Sequence, residues 1–382
     1  MRRALRWTGA VLAVLVLLPA VLIAGLLLAL NTTAGQKQAE RLLAGVLGPD
    51  IIVTGISGSI PAAPRVAHVE LRDIKGVWLT ADDIALDWSP LSLLHGIAKA
   101  DRLTIGHVGV ARLPAPSPAS SGSSSFQLPL PVQVDAARIG RIDIAAPVVG
   151  TALAATVDAQ ATLRSLWTGQ GRATIKRLDG EGTYTADGRI DDSRITANLN
   201  VAEPGHGAIA TIAGLPALGA LTIHGAVDGP WDAVATNIAI AAGPDNATAT
   251  ATATAVAKGT VNVTGRAADL EITANAPAMA PRDDVSWQSV ALAAHVQGPF
   301  SRPVANGHAR IENFAAAGAA IREIAADLQG DATHANLRAT VSGLRLPGPK
   351  PDLLESAPIM LTADARLDAA DRPVTFSLTH PL

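Results

Sequence analysis

The sequence predicts a mainly β body carried behind one N-terminal transmembrane helix, and three observations predict it. The arginines Arg2, Arg3 and Arg6 precede an uncharged run from Trp7 to Leu30. Alternation of apolar and polar residues with a period of two then recurs through most of the chain. Helical periodicity is confined to one short segment after the apolar run.

Residues 1–30 read as a cytoplasmic tip and a membrane anchor. At a rise of about 1.5 Å per residue, about 20 apolar residues cross a bilayer core. Pro19 and Gly25 interrupt the run, and both are tolerated in such helices. The arginines hold the N-terminus in the cytoplasm, so the chain beyond Leu30 emerges on the other side. A cleaved signal peptide would have a shorter apolar region, roughly 7–15 residues, and a small-residue cleavage site. The segment Leu30-Asn31-Thr32-Thr33-Ala34 offers only a weak one. The anchor is therefore expected to stay on the protein.

Residues 31–113 read as a membrane-proximal helix and β-domain. Gln36 to Leu47 predicts an amphipathic helix with Leu42, Leu43, Val46 and Leu47 on one side, stopped by Gly48-Pro49. The stretch Gly76–Pro90 holds Trp78 and Trp88, two of only six tryptophans, and reads as a β-hairpin packed around them. Residues 114–125, PAPSPASSGSSS, are too rich in Pro, Ser and Gly to pack and form a linker.

Residues 126–382 predict strand after amphipathic strand. In Leu153–Leu163 the residues Leu153, Ala155, Val157 and Leu163 share one face, opposite Asp158, Gln160 and Thr162. Ile195–Val201 repeats the pattern through Ile195, Ala197 and Leu199. Leu270–Ala276 does so through Leu270 and Ile272, and Leu337–Val341 through Leu337 and Val341. Ile359–Leu367, Val374–Leu378 and the Ala/Thr alternation of Ala247–Ala255 follow suit. Val227-Asp228-Gly229-Pro230-Trp231 is echoed by Val296-Gln297-Gly298-Pro299-Phe300, a candidate repeat junction.

Composition narrows the function. The chain has 382 residues, 48% apolar and 16% charged, with net charge −3. That is no disordered polyelectrolyte, and it lacks the concentrated basic surface that nucleic acid requires. There are no cysteines, which removes disulfides, thiolate metal sites and cysteine nucleophiles. Aromatics are only 3%, so packing must rest on Ala, Val, Ile and Leu.

No nucleotide-binding, metalloprotease or nucleophile-elbow motif is present, and no catalytic residue, metal site or cofactor is expected. The nine histidines, among them His68, His107, His224, His295 and His334, are scattered singly. The acid pairs Asp82-Asp83, Asp191-Asp192 and Asp283-Asp284 read as turn and strand-end chemistry. Something must shield the apolar strand faces. A closed β-sandwich does so, and so does an elongated, curled sheet whose inner face is a greasy channel; the residues alone leave both open.

The first 114 residues resemble the TamB family, the inner-membrane subunit of the bacterial translocation and assembly module, within the AsmA-like group. The matching pieces run in order: the Arg-flanked anchor, Asn31-Thr32-Thr33-Ala34-Gly35-Gln36, and Gly55-Ile56-Ser57-Gly58-Ser59. Next come Asp73-Ile74-Lys75-Gly76-Val77-Trp78-Leu79, Leu86-Asp87-Trp88-Ser89-Pro90-Leu91, and Ala111-Arg112-Leu113-Pro114. The remainder is similar to the family in texture only.

The resemblance implies a single-pass Gram-negative inner-membrane protein with a periplasmic body shaped as an elongated, curled β-groove. It implies movement of phospholipid toward the outer membrane, and support for the assembly and secretion of outer-membrane proteins and autotransporters. The implied partner is an outer-membrane protein of the Omp85 type, TamA-like. Family members are far longer and end in a C-terminal domain that contacts that partner. No counterpart precedes His380-Pro381-Leu382, so the groove is expected to be truncated. A non-catalytic scaffold or chaperone that pairs with nascent outer-membrane β-strands is the competing expectation.

Overall fold

The computed structural model describes residues 32–38, 48–60, 62–115, 131–165, 168–205, 207–215, 217–243, 252–350, 352, 354–366 and 374–379. The expected anchor, with Arg2, Arg3, Arg6, Trp7 and Leu30, lies outside the described residues. So do residues 39–47 of the amphipathic helix and the linker past Ala115. Residues 33–38 are helical, and Thr32 caps them, its Oγ1 accepting from the N–H of Gly35 at 3.1 Å. Among the described residues no helix is long and apolar enough to cross a membrane.

The chain is mainly β, and it divides into two compact units, residues 1–166 and 167–382. The first holds β1 (Ile51–Ser59), β2 (Ala63–Asp73), β3 (Gly76–Ser89), β4 (Ala98–Val110), β5 (Val132–Ile144) and β6 (Leu153–Ser165). These pair in sequence order, all antiparallel except β4 with β5, which is parallel. In sequence the Pro/Ser-rich stretch therefore lies between two strands that pair in one sheet. A parallel pair needs a connection of a dozen or more residues, and this stretch supplies the length.

Gly76–Pro90 does not form the expected hairpin. Gly76–Ser89 is one strand of 14 residues, and each tryptophan sits at an irregularity near one of its ends. The register with β2 shifts beside Trp78, and the register with β4 shifts between Asp87 and Trp88. No Gly, Asn or Pro stands inside the stretch to make a two-residue turn, which is why it runs straight through. Asp82-Asp83 is likewise mid-strand rather than at a turn. Asp83 has φ 53° and faces Ala67, whose other neighbour Gly55 has φ 72°. Across this line the cross-strand rows change from His68–Asp82–His107 to Val66–Ile84–Ile105. In a regular strand a step of two keeps the face, so the left-handed residues reset the pleat.

The second unit holds β7 (Thr168–Arg177), β8 (Thr183–Ile190), β9 (Arg194–Glu203), β10 (Ala220–Pro230), β11 (Val234–Gly243), β12 (Ala253–Asn262) and β13 (Ala267–Ala276). A short hairpin of β14 (Met279–Arg282) and β15 (Val285–Trp287) leaves the meander here. The meander resumes with β16 (Ser289–Pro299), β17 (Val304–Ala316), β18 (Ala319–Gly330), β19 (His334–Arg345), β20 (Ile359–Arg366) and β21 (Val374–Thr379). The other expected strands are present in their described residues; of Ala247–Ala255 only Ala253–Ala255 is in a described strand, Ala247–Ala251 lying outside the described residues. The described strands belong to one mostly antiparallel sheet that does not close, with no second hydrogen-bonded sheet among the described residues.

Tight turns close one end of this meander. In the echoed junctions, the N–H of Ala233 donates to Pro230 O at 3.0 Å and that of Arg302 to Pro299 O at 2.9 Å. Between β8 and β9, Asp191 Oδ1 accepts from the N–H of Ser193 and Arg194 at 3.0 and 2.8 Å. Between β18 and β19, Asp331 Oδ1 accepts from the N–H of Thr333 and His334 at 2.7 and 2.9 Å. The side chain imitates a backbone acceptor and fixes a two-residue loop.

These bonds, the Thr333 hydroxyl foremost, hold the Asp331 carboxyl down at about 2. A depressed carboxylate stabilises the fold above its unfolded value, and that contribution disappears as pH falls through the folded value. The hydrogen-exchange protection factors of the β18–β19 amides are therefore expected to fall between about pH 4 and pH 2. Asp331→Asn is expected to flatten that response; an unchanged profile contradicts the role given to the turn.

Candidate apolar binding face

Antiparallel register aligns the apolar positions of the second unit into continuous rows. One row runs Ile175, Tyr184, Val201, Ile223, Ile240, Ala255, Ala274, Leu292, Ala309, Ala326, Ala339, Leu361, Leu378. Two residues along each strand, a second runs Ala173, Ala186, Leu199, Gly225, Ile238, Ala257, Ile272, Ala294, Gly307, Leu328, Leu337, Ala363, Phe376. The intervening rows are polar, as in Thr185–Asn200–His224. One face is apolar across thirteen strands, which at about 4.8 Å per strand extends on the order of 60 Å.

Much of that face is uncovered. Leu199 is 43% exposed, Ile238 39%, Leu292 37% and Leu328 44%. Burial concentrates at one end, where two excursions leave the meander. There α1 (Ala208–Ile212, between β9 and β10) buries Ala208 and Ala210, and Val201, Leu221, Ala242 and Pro281 are buried as well. The N–H of Ala217 donates to Pro281 O at 3.2 Å, joining the α1 excursion to β14.

Glu203 organises that end. It is 4% exposed, yet every demand on it is met. Its carboxylate accepts the hydroxyl of Tyr184 and the N–H groups of Ala208 and Ile209 at 3.1 and 3.0 Å, capping α1. Burial, and then this carboxylate, push the Tyr184 phenol well above its ordinary value.

The expected lining residues distribute as follows. Leu199, Ile272 and Leu337 share the second row, and Ala197 and Leu270 share the next one along. Ile195 pairs with Ile190 and Gly229, and Val341 with Ile324 and Ile359. In the first unit, Leu153, Ala155, Val157 and Leu163 pair with Ile144, Ile142, Ile139 and Val132. Ala155 is buried there and the other three are half-buried, so these four are not an open surface.

Two of the pieces quoted for the resemblance, Asp73–Leu79 and Ala111–Pro114, meet at the Gly76 end of β3, and Leu86–Leu91 lies at its other end. Arg112 grips Asp73 with two hydrogen bonds, at 2.6 and 2.5 Å, and donates to Gly76 O at 2.8 Å. That guanidinium holds the Asp73 carboxyl far below the usual carboxylate range. Leu79 pairs with Leu71 and Val110, Asp87 with Arg102, and Trp88 with Ala100. The Ser89 hydroxyl donates to Asp101 at 2.8 Å, and Pro90 opens a 3-10 turn, Pro90–His95. These are structural roles.

Sequence reasoning missed one constellation. His68 Nδ1 lies 2.5 Å from Asp82 and His107 Nδ1 lies 3.3 Å from its other oxygen. His107 Nε2 reaches Asp143 at 2.9 Å and His68 Nε2 reaches Glu70 at 3.1 Å. Arg72 and Arg141 close the ends on Glu70 and Asp143. Opposite charges thus alternate across β2, β3, β4 and β5. Among the described residues no cluster of His, Cys, Asp and Glu has metal-binding geometry.

No family model matches the chain, and neither curated proteins nor solved structures give a match.

Two outcomes follow from these contacts. Hydrogen bonds to Asp82 and to Asp143, respectively, raise His68 and His107 above their ordinary value. A raised histidine stabilises the fold fully below about pH 6.5, and its contribution fades as pH rises through the folded value. Protection factors at β2–β4, which discount the intrinsic base-catalysed rise in exchange, are expected to fall over that rise, and His68→Gln with His107→Gln to abolish the fall. Glu203→Ala strands a half-buried hydroxyl and two N–H groups and is expected to cost roughly 3 kcal/mol in urea melts. A cost near zero would show that water replaces the carboxylate freely.

Proposed function

We propose that the chain carries lipid on its β-sheet, with acyl chains lying across the strands on the apolar face of the second unit and headgroups in water. The observation behind this reading is the uncovered face itself: rows of Ala, Val, Leu, Ile and Gly crossing thirteen strands with Leu199, Ile238, Leu292 and Leu328 open. One leaflet of hydrocarbon is about 15 Å deep, so an extended acyl chain spans about three strands and the face holds several. Each CH₂ withdrawn from water contributes about 0.8 kcal/mol. The small side chains leave room that aromatics would fill.

On this reading the resemblance to the TamB family supplies the setting. The protein sits in the inner membrane of a Gram-negative cell with its body in the periplasm. It moves phospholipid toward the outer membrane and supports assembly of outer-membrane proteins there, and an Omp85-type partner would receive the cargo. No step needs a catalytic group. A second reading has its own observation. All six residues of β21 are exposed, with Phe376 at 68%, and among the described residues β21 pairs with β20 alone; a strand paired on one side can accept an incoming strand.

The test is native mass spectrometry with lipid extraction on the full chain in mild detergent. Phospholipid is expected at several copies per chain, falling at least severalfold in a Leu199→Asp, Leu328→Asp double variant that keeps its β-sheet circular dichroism. Unchanged lipid in that variant would sink the lipid reading. Crosslinks from Ser377 to an unfolded outer-membrane barrel strand, without bound lipid, would favour the scaffold.

A further inference from the structure

The opposite face of the second unit is polar, and there the sheet is hollow. A cleft of about 580 Å³ opens over β13 and β16–β19, and a neighbouring one of about 810 Å³ over β17–β21. They share Asn306, Gln329 and Asn336, so they form one trough crossing the strands. Two adjacent cross-strand rows floor it. Glu271, His295, Asn306, Gln329 and Asn336 make one; His308, Asp327 and Arg338 belong to the other.

Most of these groups are unspent. His295 is bonded to Asp269 and Asn336 to Asp364. Among the described residues, Glu271, Asn306, His308, Asp327, Gln329 and Arg338 form no side-chain hydrogen bond or ion pair. A ligand here meets two amides that donate and accept, two carboxylates that accept, a guanidinium that donates, and an imidazole that does either. Charge within the six is nearly balanced, which does not suit phosphates or nucleic acid. The strands beneath are paired on both sides, so an extended peptide finds no free backbone. The groups lie in rows perpendicular to the strands, repeating at about 4.8 Å.

From this arrangement we infer that the trough binds an extended, uncharged β-linked glycan, lying across the strands with one pyranose per strand. Vicinal hydroxyls both donate and accept, as the amides and carboxylates require. The length of an extended pyranose unit is close to the strand spacing, so successive sugars meet equivalent side chains. The inference is independent of the lipid reading, because it uses the other face.

Isothermal titration of the full chain in mild detergent with cellohexaose and with chitohexaose tests it, the two probes separating bare hydroxyls from acetamido groups. At least one hexamer is expected to bind, at least tenfold tighter than its dimer. Asn306→Ala with Gln329→Ala is expected to weaken it at least tenfold, and Arg338→Gln, a milder change, at least threefold, with lipid content unchanged. No binding of either hexamer at millimolar concentration overturns the inference, as does hexamer affinity no better than the dimer's. Binding that survives both variants overturns it too.

Discussion

A one-residue slip in a β-ladder carries every side chain to the other face. The apolar rows of the second unit therefore exist only because successive strand pairs hold register from β7 to β21. Tight turns at one end supply much of that control. Asp191 and Asp331 each close a two-residue loop with their own carboxylates, and Pro230 and Pro299 open equivalent turns after Gly. Looser connections at the other end can then leave the sheet without disturbing it. The β14–β15 hairpin does so, while β13 and β16 still pair from Ala267–Pro299 to Ala276–Val290.

Register fixes the faces but does not hide them. Among the described residues of the second unit, burial on the apolar face is greatest where the α1 excursion and β14 meet, and Ala339 in β19 is buried as well. The closure at the α1 end depends on Glu203, a buried carboxylate whose bonds all go to neighbours in that unit. Burying it unpaired would cost several kcal/mol, so its partners and its burial stand or fall together. Beyond this end much of the face remains open because the side chains that could close it are absent. Aromatics are 3% of the chain, and most of the row positions in β12–β13 and β16–β19 are Ala or Gly.

Period-two alternation made the strands legible, since a side chain's face depends only on its own strand. Leu199, Ile272 and Leu337 could be placed on an apolar face for that reason, and they fall in one row. What depends on pairing was not legible. His68, Asp82, His107 and Asp143 are separated by 14, 25 and 36 positions along their hydrogen bonds, and only register brings them together. The parallel pairing of β4 with β5 and the unbroken β3 were hidden for related reasons. Proline-rich sequence reads as a boundary whether or not it links strands of one sheet, and paired tryptophans carry no information on whether the chain turns between them. The trough on the polar face was invisible because polar alternation looks like ordinary solvation.

The two faces differ chemically. Over β13 and β16–β21 the clefts open among polar side chains, while Leu292 and Leu328 on the apolar rows are exposed. A non-directional attraction suits the apolar side: acyl chains need area and exclusion of water, not fixed geometry. A hollow lined by unspent donors and acceptors suits a ligand that must be oriented, because hydrogen bonds reward angle as well as distance. The strand alternation that keeps Ala and Leu together on one side also collects Asn, Gln, His and Arg on the other. One repeating pattern thus builds two surfaces with different chemistry, and a substitution on one need not disturb the other.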